Sequence, residues 1–166
     1  MSYANRGMVT EEIVEISCNQ YEDRNLAVIR KVPTPVKVLS NKGGRVTGFY
    51  EKKSTVDFEG TLKGGRSVAF DSKETKGKSL SFDNIQHHQI DYMGKVDRLE
   101  GSAFILIYFS ELGKYYRLDI KDVVGYMNEP YETNKKSFPI KFIEQYGVEI
   151  KSNHGLYLDF LEGIER

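Results

Sequence analysis

A chain of 166 residues with 39% hydrophobic and 29% charged side chains holds enough apolar material for one packed domain, and its composition is ordinary for a soluble globular protein. Its longest apolar run, residues 103–109, falls far short of the ~20 residues that cross a bilayer, and the opening MSYANRGM has no apolar signal core, so a cytoplasmic protein is expected. The formal charge is zero, and the single cysteine, Cys18, excludes an internal disulfide and a cysteine-rich zinc cage.

The zero total hides an uneven distribution. Residues 1–29 carry two basic and five acidic side chains, residues 30–78 carry twelve and five, and residues 79–166 carry ten and fourteen. Half of all Lys and Arg therefore lie in under a third of the chain. A basic face on a neutral protein is the footprint of a polyanionic partner.

In chain order, Thr10 is placed to cap a helix, with Glu11 and Glu12 in its first turn. The helix runs through Ile13, Val14, Ile16 and Tyr21 and ends at Asp23-Arg24-Asn25. Cys18 reads as a small half-buried residue on it rather than a reactive thiol. Glu12 on its flank either reaches a metal, directly or through water, or is solvated. A short buried strand follows at 26–29. Pro33 and Pro35 then stiffen the chain and exclude a helix. Residues 36–50 form a hairpin around Ser-Asn-Lys-Gly-Gly-Arg, decorated by Lys37, Lys42, Arg45, Lys52 and Lys53; a glycine-tipped basic arm of this kind suits contact with phosphates.

A second hairpin occupies 54–75, with apolar and polar residues alternating on both sides of Gly64-Gly65. Asp57 lies on one strand; Asp71 and Lys73 share a face of the other. Directly opposed residues of antiparallel strands point to the same side. A loop centred on Gly64 pairs Asp57 with Asp71, whereas a two-residue Gly64-Gly65 loop pairs Asp57 with Ser72 and separates the acids. An odd-numbered loop, or a bulge that corrects the register, is therefore predicted. Glu59 shares the parity of Asp57 and is either an auxiliary acid or solvent-exposed near the turn.

Asp83 is expected to cap a helix to about Arg98, with Ile85, Gln89, Met93 and Val96 on one stripe. Gln89 in that stripe needs a partner, either from the acidic face or within the core. His87 and His88 read as surface residues. Residues 102–110 are nearly all apolar and suit a central strand buried on both faces. Residues 114–120 pair beside it, two short helices follow at 120–127 and 139–146, a brief edge strand lies at 148–150, and a final helix is expected over 156–165. No repeat or linker divides the chain.

The convergence of Asp57, Asp71 and Lys73 suits phosphodiester hydrolysis. Mg²⁺ takes hard oxygen ligands and keeps several waters, so two carboxylates plus a substrate phosphate suffice. Lys73 would orient the attacking water and screen charge on the phosphate. Among these residues no Gly-rich phosphate loop, zinc-binding His-Glu-x-x-His helix or Ser-His-Asp set appears.

Asp57…Asp71-Ser-Lys73 is similar to the acid…(Asp/Glu)-x-Lys signature of the restriction-endonuclease-like nucleases. More narrowly, the chain resembles the RecU-type Holliday junction resolvases through Asn5-Arg6-Gly7-Met8 with Glu11-Glu12, Lys31-Val-Pro-Thr-Pro35, Ser54-Thr-Val-Asp57, Phe70-Asp-Ser-Lys-Glu-Thr-Lys76, His88-Gln-Ile-Asp-Tyr-Met93 and Tyr157-Leu-Asp-Phe-Leu161. The resemblance implies an α/β fold: a mixed central sheet flanked by helices, a restriction-endonuclease-like core, and a projecting basic β-hairpin stalk at about 32–53 of a single nuclease domain, 1–166. It implies Mg²⁺ at Asp57 and Asp71, with Mn²⁺ able to substitute, Lys73 assisting the nucleophile, Glu12 or Glu11 as the acid of the first helix, and Gln89 supporting the site. Lys76 joins the stalk residues as a DNA contact. It also implies a homodimer that nicks a four-way DNA junction in pairs. Asp71 stands where the family usually has Glu, and Glu59 where it usually has no acid. A related duplex or flap nuclease, and a non-catalytic DNA-binding accessory to recombination, are the competing readings. Contact with a recombinase is left open.

Overall fold

The structure, a computed structural model, describes residues 3–50, 55–128 and 135–164. Six strands form the central sheet in the order β1 (Ala27–Lys31), β4 (Phe58–Leu62), β5 (Ser67–Thr75), β7 (Ser102–Phe109), β8 (Lys114–Asp119) and β10 (Val148–Ile150). Every pairing is antiparallel except β5 with β7, so the sheet is mixed. A parallel pair needs a crossover, and α2 (His87–Arg98) lies in the one between β5 and β7.

Helix α1 (Tyr3–Asp23) packs on one face through Val14, Cys18 and Tyr21, against Phe58, Val68, Phe70, Phe104 and Leu106. The opposite face carries Ala69, Ala103, Ile105 and Ile107, with Met93 of α2, Val123 of α3 (Ile120–Met127) and Ile143 of α4 (Ile140–Tyr146) over them. Strict alternation along β5 and β7 sends even residues to one layer and odd residues to the other. The central strand expected at 102–110 is thus buried on both faces, and the helices and edge strand that follow it form. Phe58, Phe70 and Phe104 sit in register across β4, β5 and β7, with successive rings 5.0 and 4.7 Å apart. Each buried phenylalanine contributes about 1.5–3 kcal/mol from its area alone.

Four local expectations are corrected. The first helix begins at Tyr3, not after a Thr10 cap; Thr10 lies buried inside it, its hydroxyl donating to Glu74 Oε2 at 3.1 Å. The buried stripe runs 10, 14, 17, 18, 21, which leaves Ile16 exposed. Asp83 falls in a short 3₁₀ turn, Phe82–Asn84, capped by Ser81, and α2 starts only at His87. No helix forms over 156–164, where Leu156 and then Leu158, Asp159, Phe160 and Leu161 are buried and Tyr157 is exposed. That segment is held as an irregular strap with tight turns, Glu162 N–H donating to Asp159 O (3.2 Å) and Ile164 N–H to Leu161 O (3.1 Å). Tyr21 Oη donates to Asp159 Oδ1 (2.8 Å) and accepts from Leu161 N–H (3.0 Å), and Arg117 donates to the carbonyls of Phe160 (3.0 Å) and Glu162 (2.7 Å).

Two small sheets complete the described residues. β6 (Ser79–Ser81) pairs with β9 (Ser137–Pro139), and β2 (Val36–Lys42) pairs with β3 (Arg45–Tyr50) as the first hairpin read from the sequence. Among the described residues no helix is long and apolar enough to cross a membrane.

Candidate active site

The turn between β4 and β5 decides whether the two aspartates meet. Leu62 N–H donates to Arg66 O (2.8 Å) and Gly65 N–H to Leu62 O (3.0 Å), closing a loop of Lys63, Gly64 and Gly65. Gly64 and Gly65 have φ of 88° and 95°, a region that only glycine enters at little cost. The register is centred on Gly64: Phe58 opposes Phe70. Asp57, one residue before β4, therefore falls opposite Asp71. The odd-numbered loop expected from the sequence is the one that forms.

The two acids are interlocked. Asp57 N–H donates to Asp71 Oδ1 at 2.9 Å, and Ser72 N–H donates to Asp57 Oδ2 at 3.0 Å. Each carboxylate is thus oriented by the backbone of the strand that carries the other. Lys73 Nζ stands 3.0 Å from Asp71 Oδ2 and 3.8 Å from Asp57 Oδ2, with Asp71 fully buried and Lys73 16% exposed. Asp71 Oδ2 has no hydrogen-bond partner, and the nearby ammonium of Lys73 offsets its charge. Burial, followed by the charge of Asp71, pushes the Asp57 carboxyl up to about 6, while Lys73 and the Ser72 N–H pull it partly back. The site holds more negative charge than its own cation compensates.

A divalent cation answers both features. It would take the orphaned oxygen of Asp71 as a ligand and relieve the repulsion felt at Asp57, and the donors are the hard oxygens that Mg²⁺ prefers. Among the described residues no cluster of three or more His, Cys, Asp or Glu surrounds such an ion. The remaining ligands would be waters and substrate oxygens.

Residues 5–166 match the family model RecU: Recombination protein U. The chain belongs to the RecU family. The Holliday junction resolvase RecU of Streptococcus sanguinis (strain SK36) is 33% identical over 175 residues, spanning 100% of this chain and 85% of its own. That of Geobacillus thermodenitrificans (strain NG80-2) is 33% identical over 171 residues, spanning 99% and 85%. Among solved structures, Hjc of Archaeoglobus fulgidus, a Holliday junction resolvase, aligns with a TM-score of 0.46 at 12% identity, covering 82% of this chain and 94% of its own.

The other candidate positions of the chain stand apart from this set in different ways. Of the paired acids on α1, Glu12 is on the exposed flank, whereas Glu11 is half-buried beside the stripe and its charge acts on Asp57. Lys31 on β1 holds Glu11 and also lies 3.4 Å from Glu15. The spacing of Thr10, Val14, Ser17 and Tyr21 carries that distinction in the sequence, but only once Ile16 is set outside the stripe and Ile13 at its edge, where it is partly buried against the core. Gln89 is buried, and its Oε1 accepts from Gln86 N–H at 3.0 Å, which closes the first turn of α2. Glu59 Oε2 accepts from Tyr92 Oη at 2.9 Å, a link between β4 and α2 that the sequence did not suggest. Burial, then that bond, pushes the Tyr92 hydroxyl up.

Cys18 is buried, and burial raises its thiol to about 12, which leaves it inert as a nucleophile. His87 is exposed and His88 half-buried. Lys37, Lys42 and Arg45 are exposed on the β2–β3 hairpin, and Lys76 is exposed 3.9 Å from Glu111. Lys52 and Lys53 lie outside the described residues.

Proposed function

We propose that this chain is a structure-selective, metal-dependent endodeoxyribonuclease that resolves Holliday junctions by paired phosphodiester cleavage. The observation that carries the reading is the interlocked Asp57–Asp71–Lys73 set, in a chain that matches the RecU family over residues 5–166. The relatives named as Holliday junction resolvases span the whole chain at about a third identity, which supports junction DNA as the substrate.

Asp57 and Asp71 would hold Mg²⁺, or Mn²⁺ in its place. When bound, such an ion supplies a Lewis acid for the phosphoryl oxygens and lowers the pKa of a bound water. The protein's own contribution is preorganisation. The backbone bonds fix both carboxylates before substrate arrives, so no reorganisation is needed at the moment of reaction. Lys73 reaches the same oxygens and would orient the attacking water and screen charge gathering on the phosphate as the P–O bond to the leaving strand breaks. Glu11 lies on the rim and Gln89 on the neighbouring helix, where each would order water at the metal.

The finer architecture belongs to the same reading: one nuclease domain over 1–166 with a restriction-endonuclease-like core, whose hairpin at about 32–53 serves as a basic stalk. Lys37, Lys42, Arg45, Lys52, Lys53 and Lys76 would contact phosphates. Two copies related by a two-fold axis would present paired sites to opposing strands.

Cleavage of synthetic four-way junctions and of linear duplex, by the parent and by Asp71→Asn, in Mg²⁺ and in Ca²⁺, tests the proposal. The expected result is junction cleavage by the parent in Mg²⁺ alone, and loss of at least ~100-fold in the variant, the scale for removing a preorganised electrostatic group. Equal cleavage by the variant overturns the site. Binding without cleavage in either Mg²⁺ or Mn²⁺ turns the reading to a recombination accessory, and equal cutting of duplex turns it to a general duplex nuclease.

A further inference from the structure

Among the described residues, three buried side-chain polar atoms have no hydrogen-bond partner: Asp71 Oδ2, Ser72 Oγ and Arg117 Nε. The first two belong to the acid pair and its neighbour on β5. Arg117 stands elsewhere, on β8, with its side chain only 6% exposed. Its Nη1 is held by the Phe160 and Glu162 carbonyls, and its guanidinium carbon lies 5.8 Å from the centre of the Phe104 ring, which fixes the group in place. Asp119 is 61% exposed, and its Oδ1 stops 3.7 Å from Nε, beyond hydrogen-bond reach. Burial pulls the Arg117 guanidinium below its ordinary value, and Asp119 and the other acidic groups around it offset this only in part. A buried charge is ordinarily both paired and hydrogen-bonded. This one is only half served.

Arg117 lines a cavity of about 290 Å³ at the end of the sheet where β5 and β7 begin and β8 ends. Arg66, Lys121, Ser102, Asp97 and Asp119 line it too. Lys121 Nζ lies 3.4 Å from Asp97 Oδ1, so two acids are shared there among three cations. Helix α3 opens on the same space with its N-terminus: Asp119 is the N-cap residue and makes no side-chain capping bond. The other acid of that first turn, Asp122, faces a separate hollow with Tyr126 and Tyr146. The positive end of the helix dipole therefore adds to the cationic wall.

We infer that this cavity binds a phosphate group. The phosphate oxygens would accept from Arg117 Nε–H and the Ser102 hydroxyl, with Arg66 and Lys121 supplying charge and the first turn of α3 its backbone N–H groups. Donors arriving from four chain segments suit a tetrahedral anion better than a flat carboxylate. The site is separate from the reacting one. Arg66 precedes Asp71 by five residues along β5, a span of about 17 Å at ~3.3 Å per residue. The phosphate would come either from the backbone of a DNA arm leading away from the acid pair or from a free phosphate, inorganic or carried by a nucleotide.

Titration of the full chain with inorganic phosphate, against chloride at equal ionic strength and in chelator, tests this by two readouts. The unfolding midpoint should rise with phosphate and not with chloride, as for any ligand that binds only the folded state. In nitrogen-resolved NMR of the arginine side chains, the Nε–H signal that disappears in Arg117→Lys should move with phosphate and saturate. Asp119→Asn removes a competing acid and should tighten phosphate about fivefold, whereas Lys121→Gln should weaken it by about the same factor, the upper scale for one partly exposed charge contact. Both side chains are largely exposed, so neither change should unfold the chain. An Arg117 Nε–H signal that phosphate leaves unmoved overturns the inference. So do Asp119→Asn and Lys121→Gln variants that bind phosphate as the parent does, since the anion then sits on another basic surface. Junction binding in Ca²⁺ names the source. If DNA supplies the phosphate, the junction should move the Arg117 signal, and Lys121→Gln should flatten the salt slope by about 0.9. If a free phosphate is the ligand, Lys121→Gln should bind the junction as the parent does while its phosphate response is weakened. Either result supports the site. None of these readouts involves cleavage, so the site stands or falls apart from the nuclease.

Discussion

At the scale of single residues, Asp57 is where the chemistry of the site can be read from outside. Its folded carboxyl is raised to about 6, chiefly by burial and then by Asp71, whereas an unfolded Asp titrates near 3.9. Between those values the folded chain holds a proton that the unfolded chain has released. The contribution of Asp57 to stability should therefore be most favourable below pH ~4, fall as pH rises through ~4 to ~6, and level off above, the reverse of an ion-paired aspartate. Without divalent ions, Asp57→Asn should raise stability at pH 7.5 by about 1–3 kcal/mol and leave it nearly unchanged at pH 4, since the neutral amide retains an oxygen for the Ser72 N–H. Thermal unfolding in chelator at the two pH values measures this; a variant less stable than the parent at pH 7.5 would show that the Asp57 charge is welcome in the fold. Mg²⁺ should stabilise the parent and not the variant. The meeting of Asp57 and Asp71 could be read from the sequence because strand parity and loop length are discrete. Glu11 could not be separated from Glu12 in the same way, since a helix offers graded angles and the apolar residues Ile13, Val14, Ile16 and Tyr21 do not define one buried stripe.

At the scale of elements, β5 carries Phe70 into one layer and Asp71 and Lys73 into the other, so the core and the site are two sides of one strand. That alternation made the sheet legible. The C-terminal strap was not, because Leu158, Leu161 and Ile164 imitate helical spacing while the residues actually buried, Leu156 and then Leu158 to Leu161 without a break, follow no single period. The contest is settled by partners far away in the chain, Tyr21 and Arg117, which no local window contains. Tyr21→Phe should therefore act on the strap. It removes the donor to Asp159 Oδ1 and the acceptor for Leu161 N–H, both buried, at a cost of about 1–3 kcal/mol. Denaturant unfolding measures the loss, and cleavage per folded molecule should match the parent, because Tyr21 lies on the sheet layer opposite Asp57, Asp71 and Lys73. A variant as stable as the parent would mean that packing alone holds the strap.

For the whole molecule, the concentration of basic residues in 30–78 only becomes a surface once a bulge in β2 places Lys37, Lys42 and Arg45 on one side: Leu39 is an extra residue between the Val38–Gly48 and Ser40–Thr47 pairs. Composition could report the excess charge; it could not report the face, because a single inserted residue reverses parity and leaves no compositional trace. If that face meets the DNA backbone, binding should be dominated by counterion release, and each phosphate contact contributes about −0.9 to the slope of log K against log salt. Replacing Lys37, Lys42 and Arg45 together by Gln should then flatten the slope by about 2–3 per copy. Fluorescence anisotropy of a labelled four-way junction in Ca²⁺, from about 50 to 200 mM salt, measures it. Weaker binding with an unchanged slope would mean that the three side chains shape the hairpin without touching phosphate. A flattened slope on the junction, with no change on linear duplex, would mean that the hairpin meets only the backbone geometry that four converging arms provide.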